Sequence, residues 1–114
     1  MLAGLPKRSL ERLSSRLHAD RREANAYKYK VVPLATWKRR SRRLSVEESE
    51  RTERLARVLA AAEHAWDDRE QAREWMNKPH RELGGRVPLD VARTELGARR
   101  VEVLLEKLYF GLPV

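Results

Sequence analysis

Residues 77–90, NKPHRELGGRVPLD, combine a histidine, two prolines, a glycine pair and charges of both signs, which are residue types found in catalytic loops and phosphate cradles. A phosphate cradle also needs a preceding strand and a fixed glycine spacing, and Gly84-Gly85 has neither. The prolines and glycines instead indicate a corner between two helices. We expect Val87 and Leu89 to pack from this corner into the core.

The histidines and acidic groups do not form a recognisable catalytic or metal-binding pattern. His18, His64 and His80 lie on three different segments, and none has a partner at metal-ligand spacing. The acidic cluster at residues 63–68 is typical of a helix end that carries solvated charge and capping groups. We therefore predict no catalytic residue, no metal site and no cofactor, and we expect that the chain is not an enzyme.

Positive charge is concentrated in the first part of the 114-residue chain. Residues 1–44 contain 13 Lys or Arg against 3 Asp or Glu, whereas residues 45–114 contain 12 against 14. Such a one-sided distribution is typical of a nucleic-acid-binding region, because cationic side chains displace counterions from phosphates. The alternative is a solvated basic surface that keeps the protein in solution. We place a domain boundary near residue 44.

The segment LATWKRRSRR, residues 34–43, predicts a short basic helix that can act as a recognition helix. In that role Thr36 and Lys38 or Arg39 probe base edges near the start of the helix. Trp37 is expected in the core or in a hydrophobic lid, with base stacking as the less favoured alternative. A solvated linker is the alternative for the whole segment. The cations predicted to contact phosphate are Arg40, Arg42 and Arg43.

Helical periodicity predicts the elements that precede this basic segment. Leu10, Leu13 and Leu17 recur on one face of a first amphipathic helix. Asp20 is a suitable N-cap for a second helix with few apolar residues. The following YKYKVV, residues 27–32, is compatible with a short strand or with a turn.

Capping residues predict a further set of helices in the second part of the chain. Ser45 and Glu48 form a capping box at the start of a long helix that ends near Trp66. Apolar residues at helical spacing predict another long helix at the C-terminal end. The remaining boundaries are an N-cap at Asp67 or Asp68, a stop before Pro79, an N-cap at Thr94 and a left-handed C-cap at Gly111.

Together these residues resemble a known family. WMNKPHRELGGRVPLD, then TELGARRVEVLL, then YFG resemble the toxin-binding domain of the MbcA/ParS/Xre antitoxins, which belong to bacterial RES–Xre toxin–antitoxin systems. The resemblance covers about residues 44–112, and the N-terminal part resembles the Xre-type helix-turn-helix more loosely. It implies an all-α fold, with a helix-turn-helix DNA-binding region over residues 1–44 and a toxin-binding domain over residues 45–114.

The resemblance also implies partners and a mechanism. The expected partner is a RES-domain toxin encoded by the adjacent gene, which consumes NAD or uses it to modify a target. The C-terminal end blocks the toxin's active site, and the basic helix represses the antitoxin's own operon by binding operator DNA. A homodimer within a toxin–antitoxin hetero-oligomer is implied as well. The residues expected to bind toxin are Tyr109, Phe110, Gly111, Leu112, Pro113 and Val114.

The residues alone leave alternatives open. The apolar end of the chain can fold back on the core instead of entering a partner's pocket. A stand-alone helix-turn-helix repressor without a toxin is the alternative function, and a structural or interaction protein is a third. Because the chain lacks cysteine, a signal-peptide core and a membrane-length apolar run, we expect a cytoplasmic protein with no membrane partner.

Overall fold

The predicted all-α fold is confirmed. The computed structural model describes residues 4–40 and 42–112, and within them every regular element is helical. The elements are α1 (Lys7–Leu17), α2 (Arg21–Val31), α3 (Leu34–Arg39), α4 (Val46–Trp66), α5 (Arg69–Met76), a 3-10 turn (Arg81–Leu83), α6 (Pro88–Val91) and α7 (Glu95–Tyr109).

The chain divides into two compact units, Met1–Glu53 and Arg54–Val114, and the division falls within α4. The functional boundary that we placed near residue 44 precedes α4 and stays a prediction. We refer below to the N-terminal unit and the C-terminal unit.

The first two helices of the N-terminal unit pack through the predicted apolar positions. Leu10, Leu13 and Leu17 are all buried, and the Asp20 carboxylate accepts a hydrogen bond of 3.3 Å from the backbone N–H of Glu23. The expectation of a strand or turn over residues 27–32 was wrong, because α2 continues to Val31. The helix continues because Ala24, Lys28 and Val31 share its buried face.

The chain leaves the helical conformation after Arg39, so the prediction of a helix over residues 34–43 was wrong beyond that residue. The cause is a long-range backbone pairing with the segment before α1. The backbone N–H of Lys7 donates to the carbonyl of Arg42 at 2.9 Å, and the N–H of Leu44 donates to the carbonyl of Leu5 at 2.8 Å. Leu44 is buried, so its packing also favours the extended path.

The predicted capping box begins α4. The Ser45 hydroxyl accepts from the backbone N–H of Glu48 at 3.1 Å, and the Glu48 carboxylate accepts from the backbone N–H of Ser45 at 2.7 Å. This reciprocal pair satisfies two backbone donors that a helix start leaves open. The helix ends at Trp66, as expected, and Asp67 follows with a left-handed φ of 52°.

Residues 77–90 form the predicted corner in the C-terminal unit. Gly84 and Gly85 have φ values of 68° and 79°, which glycine adopts without steric cost. Leu89 is buried as expected, but the expectation that Val87 also fills the core was wrong. Val87 is only half-buried because it is the N-cap residue, and Pro88 in the first helical position takes the buried place.

The last helix is positioned by its cap and by a glycine. The Thr94 hydroxyl accepts from the backbone N–H of Gly97 at 3.0 Å, which confirms the predicted cap. A Cβ atom at Gly97 would collide with the backbone carbonyl of Val91, so α6 and α7 approach as closely as they do only because this residue is glycine. Buried side chains on the core face of α7 are Ala98, Val101, Leu104 and Leu105.

Candidate nucleic-acid and partner interfaces

The exposed surface of α3 presents cations to solvent. Lys38 and Arg39 are exposed, and Thr36 is half-buried. One Arg39 guanidinium nitrogen, Nη2, donates to the Thr36 hydroxyl at 3.3 Å, so these two predicted base-reading residues lie together. Lys38 and Arg42 make no hydrogen bond or ion pair with another side chain among the residues that the structure describes. The surface therefore offers positive charge that no internal acid neutralises.

Trp37 lies in the core of the N-terminal unit, as we expected. Its side chain is 9% exposed, and the Nζ atoms of Lys7 and Lys28 lie 4.4 and 4.7 Å from the ring centre. Its ring and that of Tyr29 form a T-shaped pair, with 6.4 Å between ring centroids. Cations over an indole face are attracted by its quadrupole, so the ring packs and also holds two positive charges. This environment favours a structural role for Trp37 over base stacking.

Lys7 also fixes the end of α3. Its Nζ atom donates to the backbone carbonyls of Trp37 and Arg40, both at 3.0 Å. A helix C-terminus carries open carbonyls and partial negative charge, so an ammonium group there stabilises the helix. This contact allows α3 to remain helical although it has only six residues.

Arg40 forms a structural ion pair with Glu48. Its Nε and Nη2 atoms donate to the two carboxylate oxygens at 3.0 and 3.1 Å, and Glu48 is 4% exposed. Burial raises the pKa of the Glu48 carboxyl, but hydrogen bonds from Arg40 and from the backbone of Ser45 outweigh it and hold that pKa below its ordinary value. The predicted phosphate contact of Arg40 stays a prediction, and the geometry adds a role in holding the Glu48 carboxylate that caps α4.

The end of α7 exposes large apolar side chains. Phe110 is 67% exposed and Leu112 is 53% exposed. Gly111 has a φ of 70°, and the backbone N–H of Leu112 donates to the carbonyl of Lys107 at 2.8 Å, which confirms the predicted left-handed cap. Pro113 and Val114, the last residues of the predicted toxin-binding tail, lie outside the described residues.

Tyr109 holds this chain end against α4. Its ring stacks on His64 with 4.6 Å between centroids and an interplanar angle of 27°, and it meets Phe110 edge to face at 5.1 Å. The alternative in which the end folds back on the core therefore applies in part to Tyr109. It does not apply to Phe110 or Leu112, whose side chains remain exposed.

A second apolar surface on α7 was not predicted. Leu96 is 77% exposed and Val103 is 50% exposed, and both line a groove of about 340 Å³. Their spacing of seven residues places them on one side of the helix, away from its core stripe. That spacing is the sequence signal that would have revealed them. Cations on the same groove are Arg99, Arg100 and Lys107.

Ion pairs connect α7 with the second part of α4. Arg57 donates to Glu102 at 3.1 Å and to Glu95 at 3.0 Å, and Arg54 adds a contact of 3.3 Å to Glu95. The hydrogen bond with Glu102 raises the pKa of Arg57, and the hydrogen bond from Arg57 lowers the pKa of Glu95. This network is exposed, so its role is to orient the helix that carries the apolar end.

The described ranges contain no cluster of three or more metal-ligating side chains. Among the helices that the structure describes, none combines the length and the apolar character required to cross a bilayer.

Comparison with known proteins connects both units to one family. Residues 2–57 match the Antitoxin Xre-like helix-turn-helix domain, and residues 61–111 match the Antitoxin Xre/MbcA/ParS C-terminal toxin-binding domain. The chain is 33% identical to "Antitoxin Xre" of Pseudomonas putida over 84 residues, which cover 71% of this chain and 53% of that protein. It is 39% identical to "Antitoxin Xre" of Yersinia enterocolitica over 71 residues, which cover 61% of this chain and 48% of that protein. The chain thus spans about half the length of these curated relatives.

Proposed function

The chain belongs to the Xre/MbcA/ParS antitoxin family, and on this premise we propose that it neutralises a toxin and represses its own operon. The helix-turn-helix match supports the DNA-binding role and the toxin-binding match supports the neutralising role. Each role is assigned to a surface that includes exposed side chains, namely Lys38 and Arg39 for DNA and Phe110 and Leu112 for the toxin.

The proposed toxin is a RES-domain protein encoded by the adjacent gene. Such a toxin consumes NAD or uses it to modify a target, and the antitoxin would block the pocket that NAD enters. The observation that carries this proposal is the exposure of Phe110 and Leu112 at the end of α7. Aromatic and aliphatic anchors that enter a partner's pocket dominate the free energy of many interfaces. Inhibition is then steric, because a side chain in the pocket prevents the substrate from entering.

The groove along α7 would extend the same interface. Leu96 and Val103 offer apolar contact area, and the cations beside them would pair with acidic groups of the toxin at the rim. The buried side chains of α7 hold this helix in place, so its apolar groups need little ordering when the partner binds.

Truncation tests the role of the chain end. We expect that deletion of residues 112–114 weakens neutralisation, because it removes the exposed Leu112 side chain. The measurement is the growth of cells that express the adjacent toxin together with either form of the antitoxin. Full rescue of toxin-arrested cells by the truncated chain would remove the tail from the mechanism.

Operator binding would use the α3 surface. Thr36, Lys38 and Arg39 are proposed to approach bases, and a homodimer within the toxin–antitoxin complex would match a palindromic operator. If Arg39 contacts a phosphate, Arg39→Ala lowers operator affinity and reduces the salt slope of binding by about 1. Arg69→Ala removes one exposed cation from the C-terminal unit and serves as the control. An unchanged slope in Arg39→Ala would show that this residue contacts no phosphate, and an unchanged operator affinity would remove it from the DNA-binding surface altogether.

A stand-alone repressor without a toxin is the second candidate, favoured by the exposed cations of the N-terminal unit, which do not depend on the C-terminal end. The adjacent reading frame distinguishes the two functions, since only an antitoxin needs a toxin gene beside it. A gel shift with the chain's own promoter separates both from a protein whose basic half only maintains solubility. In each case we propose that the protein acts in the cytoplasm.

A further inference from the structure

The start of α1 and the segment after α3 form one basic groove. Backbone hydrogen bonds between Lys7 and Arg42 and between Leu5 and Leu44 bring these distant parts of the chain together. The groove has a volume of about 650 Å³, and Trp37 forms part of its wall. The cations that line it are Lys7, Arg8, Arg42 and Arg43.

The guanidinium groups of this groove are available to a ligand. Arg8 and Arg42 are exposed, and neither side chain has a hydrogen bond or ion pair within the described part of the chain. Arg43 donates through Nη1 to the carbonyl of Gly4 at 2.9 Å, which leaves its other donors open. The groove gathers three guanidinium groups on two separate segments, although like charges repel.

The acidic residue in the lining does not neutralise these arginines. Glu11 lies on the groove, but its Oε2 atom is 3.5 Å from Nζ of the buried Lys28. The fourth cation, Lys7, is already bonded to the carbonyls at the end of α3. The net positive charge of the groove therefore comes from the arginines, whose planar fork of N–H donors matches a phosphate group.

We propose that Arg8, Arg42 and Arg43 each contact a backbone phosphate of duplex DNA along this groove. The inference rests on the proposed DNA-binding function and adds α1 to the surface that contacts DNA. A phosphate contact positions a protein on DNA without reading its sequence. The contribution of the groove should thus be equal for the operator and for a scrambled duplex, unlike that of a residue that contacts bases.

Counterion release gives the expected size of the effect. Each phosphate contact that is removed should lower the slope of log affinity against log salt by about 0.9. When the salt concentration rises from 50 to 200 mM, affinity falls for both proteins. The fold-decrease for a variant that lacks one contact should be about three times smaller than the fold-decrease for the wild type. Removal of both Arg8 and Arg42 should lower the slope by about 1.8.

The experiment uses the full chain and two fluorescent duplexes of equal length, the operator fragment and a scrambled sequence. Binding is measured by anisotropy over this salt range for Arg8→Ala, Arg42→Ala and the double variant. Arg69→Ala, which changes the net charge equally, is the control, and Arg8→Lys should retain most of the slope. Because Arg8 and Arg42 are exposed, we expect all variants to keep the wild-type circular dichroism spectrum.

The outcomes separate this site from the proposed function. Slopes that fall by the stated amounts on both duplexes support the site, whereas slopes equal to that of Arg69→Ala overturn it and leave DNA binding intact. Failure of the wild type to bind either duplex overturns both. Calorimetry with inorganic phosphate alone tests a free-anion site. Saturable heat that Arg8→Ala abolishes, with unchanged DNA slopes, would assign the groove to the free ion and overturn the backbone contact.

Discussion

Replacement of Trp37 by alanine tests whether the indole ring is a structural element or a base-stacking group. The ring is 9% exposed and contacts the ammonium groups of Lys7 and Lys28. Truncation of a buried tryptophan costs about 3–5 kcal/mol. The loss of the two cation–π contacts adds about 0.5–1 kcal/mol each, so we expect a total of about 4–7 kcal/mol.

That loss is comparable to the whole stability of the N-terminal unit. A unit of this size is stable by roughly 3–8 kcal/mol when the usual value per residue applies. In urea, with a slope of about 1–2 kcal/mol per molar, the midpoint for this unit should fall by at least about 2 M. Trp37→Phe keeps an aromatic face next to the lysines. It should lower the free energy of unfolding by only about 1 kcal/mol, chiefly because the phenylalanine side chain is smaller.

The assay combines urea unfolding, followed by far-UV circular dichroism, with operator binding measured without urea. We expect Trp37→Ala to lose stability and operator affinity together, and Trp37→Phe to retain most of both. A Trp37→Ala variant with the wild-type midpoint but weaker operator binding would refute the structural role, because it would show that the ring contacts DNA directly.

Three further predictions concern stability. Arg40 helps to hold the pKa of Glu48 below its ordinary value, so the ionised Glu48 carboxylate stabilises the folded state at neutral pH. This stabilisation is lost as the pH falls from about 4.3, the ordinary value for the unfolded chain, through the lower value of the folded state. In unfolding curves, Glu48→Gln should be less stable than wild type at pH 7, and this difference should shrink as the pH falls below about 4.3; a difference that stays constant into acid would contradict the linkage. Thr94→Ala should lower the free energy of unfolding by about 1 kcal/mol through loss of the cap, while the matched Thr94→Ser variant should stay near wild type. Gly97→Ala should lower the free energy of unfolding. Overpacking against the Val91 carbonyl costs about 1–3 kcal/mol, whereas the better helix propensity of alanine contributes only about 1 kcal/mol. An Ala variant more stable than the wild type would disprove the close approach.

Local signals predicted most helices because their physical causes lie within a few residues. The caps at Asp20, Ser45 and Thr94 each involve a side chain and a backbone N–H three positions away, and all three are confirmed. The apolar face of α1 and the left-handed cap at Gly111 were predictable for the same reason. These features depend on chain spacing and do not require knowledge of the tertiary structure.

Errors arose where distant residues decide the conformation. The backbone pairing with Leu5 and Lys7 ends the basic helix at Arg39, and no pattern within residues 34–43 indicates that pairing. The burial of Lys28 was similarly hidden, since lysine is ordinarily exposed and is buried here by an aromatic neighbour and a carboxylate. Such contacts exist only once the helices have packed.

The candidate interfaces were predictable to different degrees. Phe110 and Leu112 stood out as apolar residues after a helix, and their exposure is consistent with an anchor. Leu96 and Val103 were overlooked because an apolar residue in an amphipathic helix is ordinarily assigned to the core. Their exposure depends on which side of α7 packs into the core, and that side carries Ala98, Val101, Leu104 and Leu105.

The most direct test of the central claim is the affinity between this chain and the product of the adjacent toxin gene. Phe110→Asp places a charge where an apolar anchor is proposed, and Val46→Asp makes the same change at an exposed apolar residue of the N-terminal unit. Loss of a central anchor is worth about 2–4 kcal/mol, which corresponds to roughly 30- to 1000-fold in Kd. We predict that Phe110→Asp weakens binding by this factor while Val46→Asp binds as the wild type does. Wild-type affinity in Phe110→Asp would contradict the proposal that the end of α7 anchors the toxin.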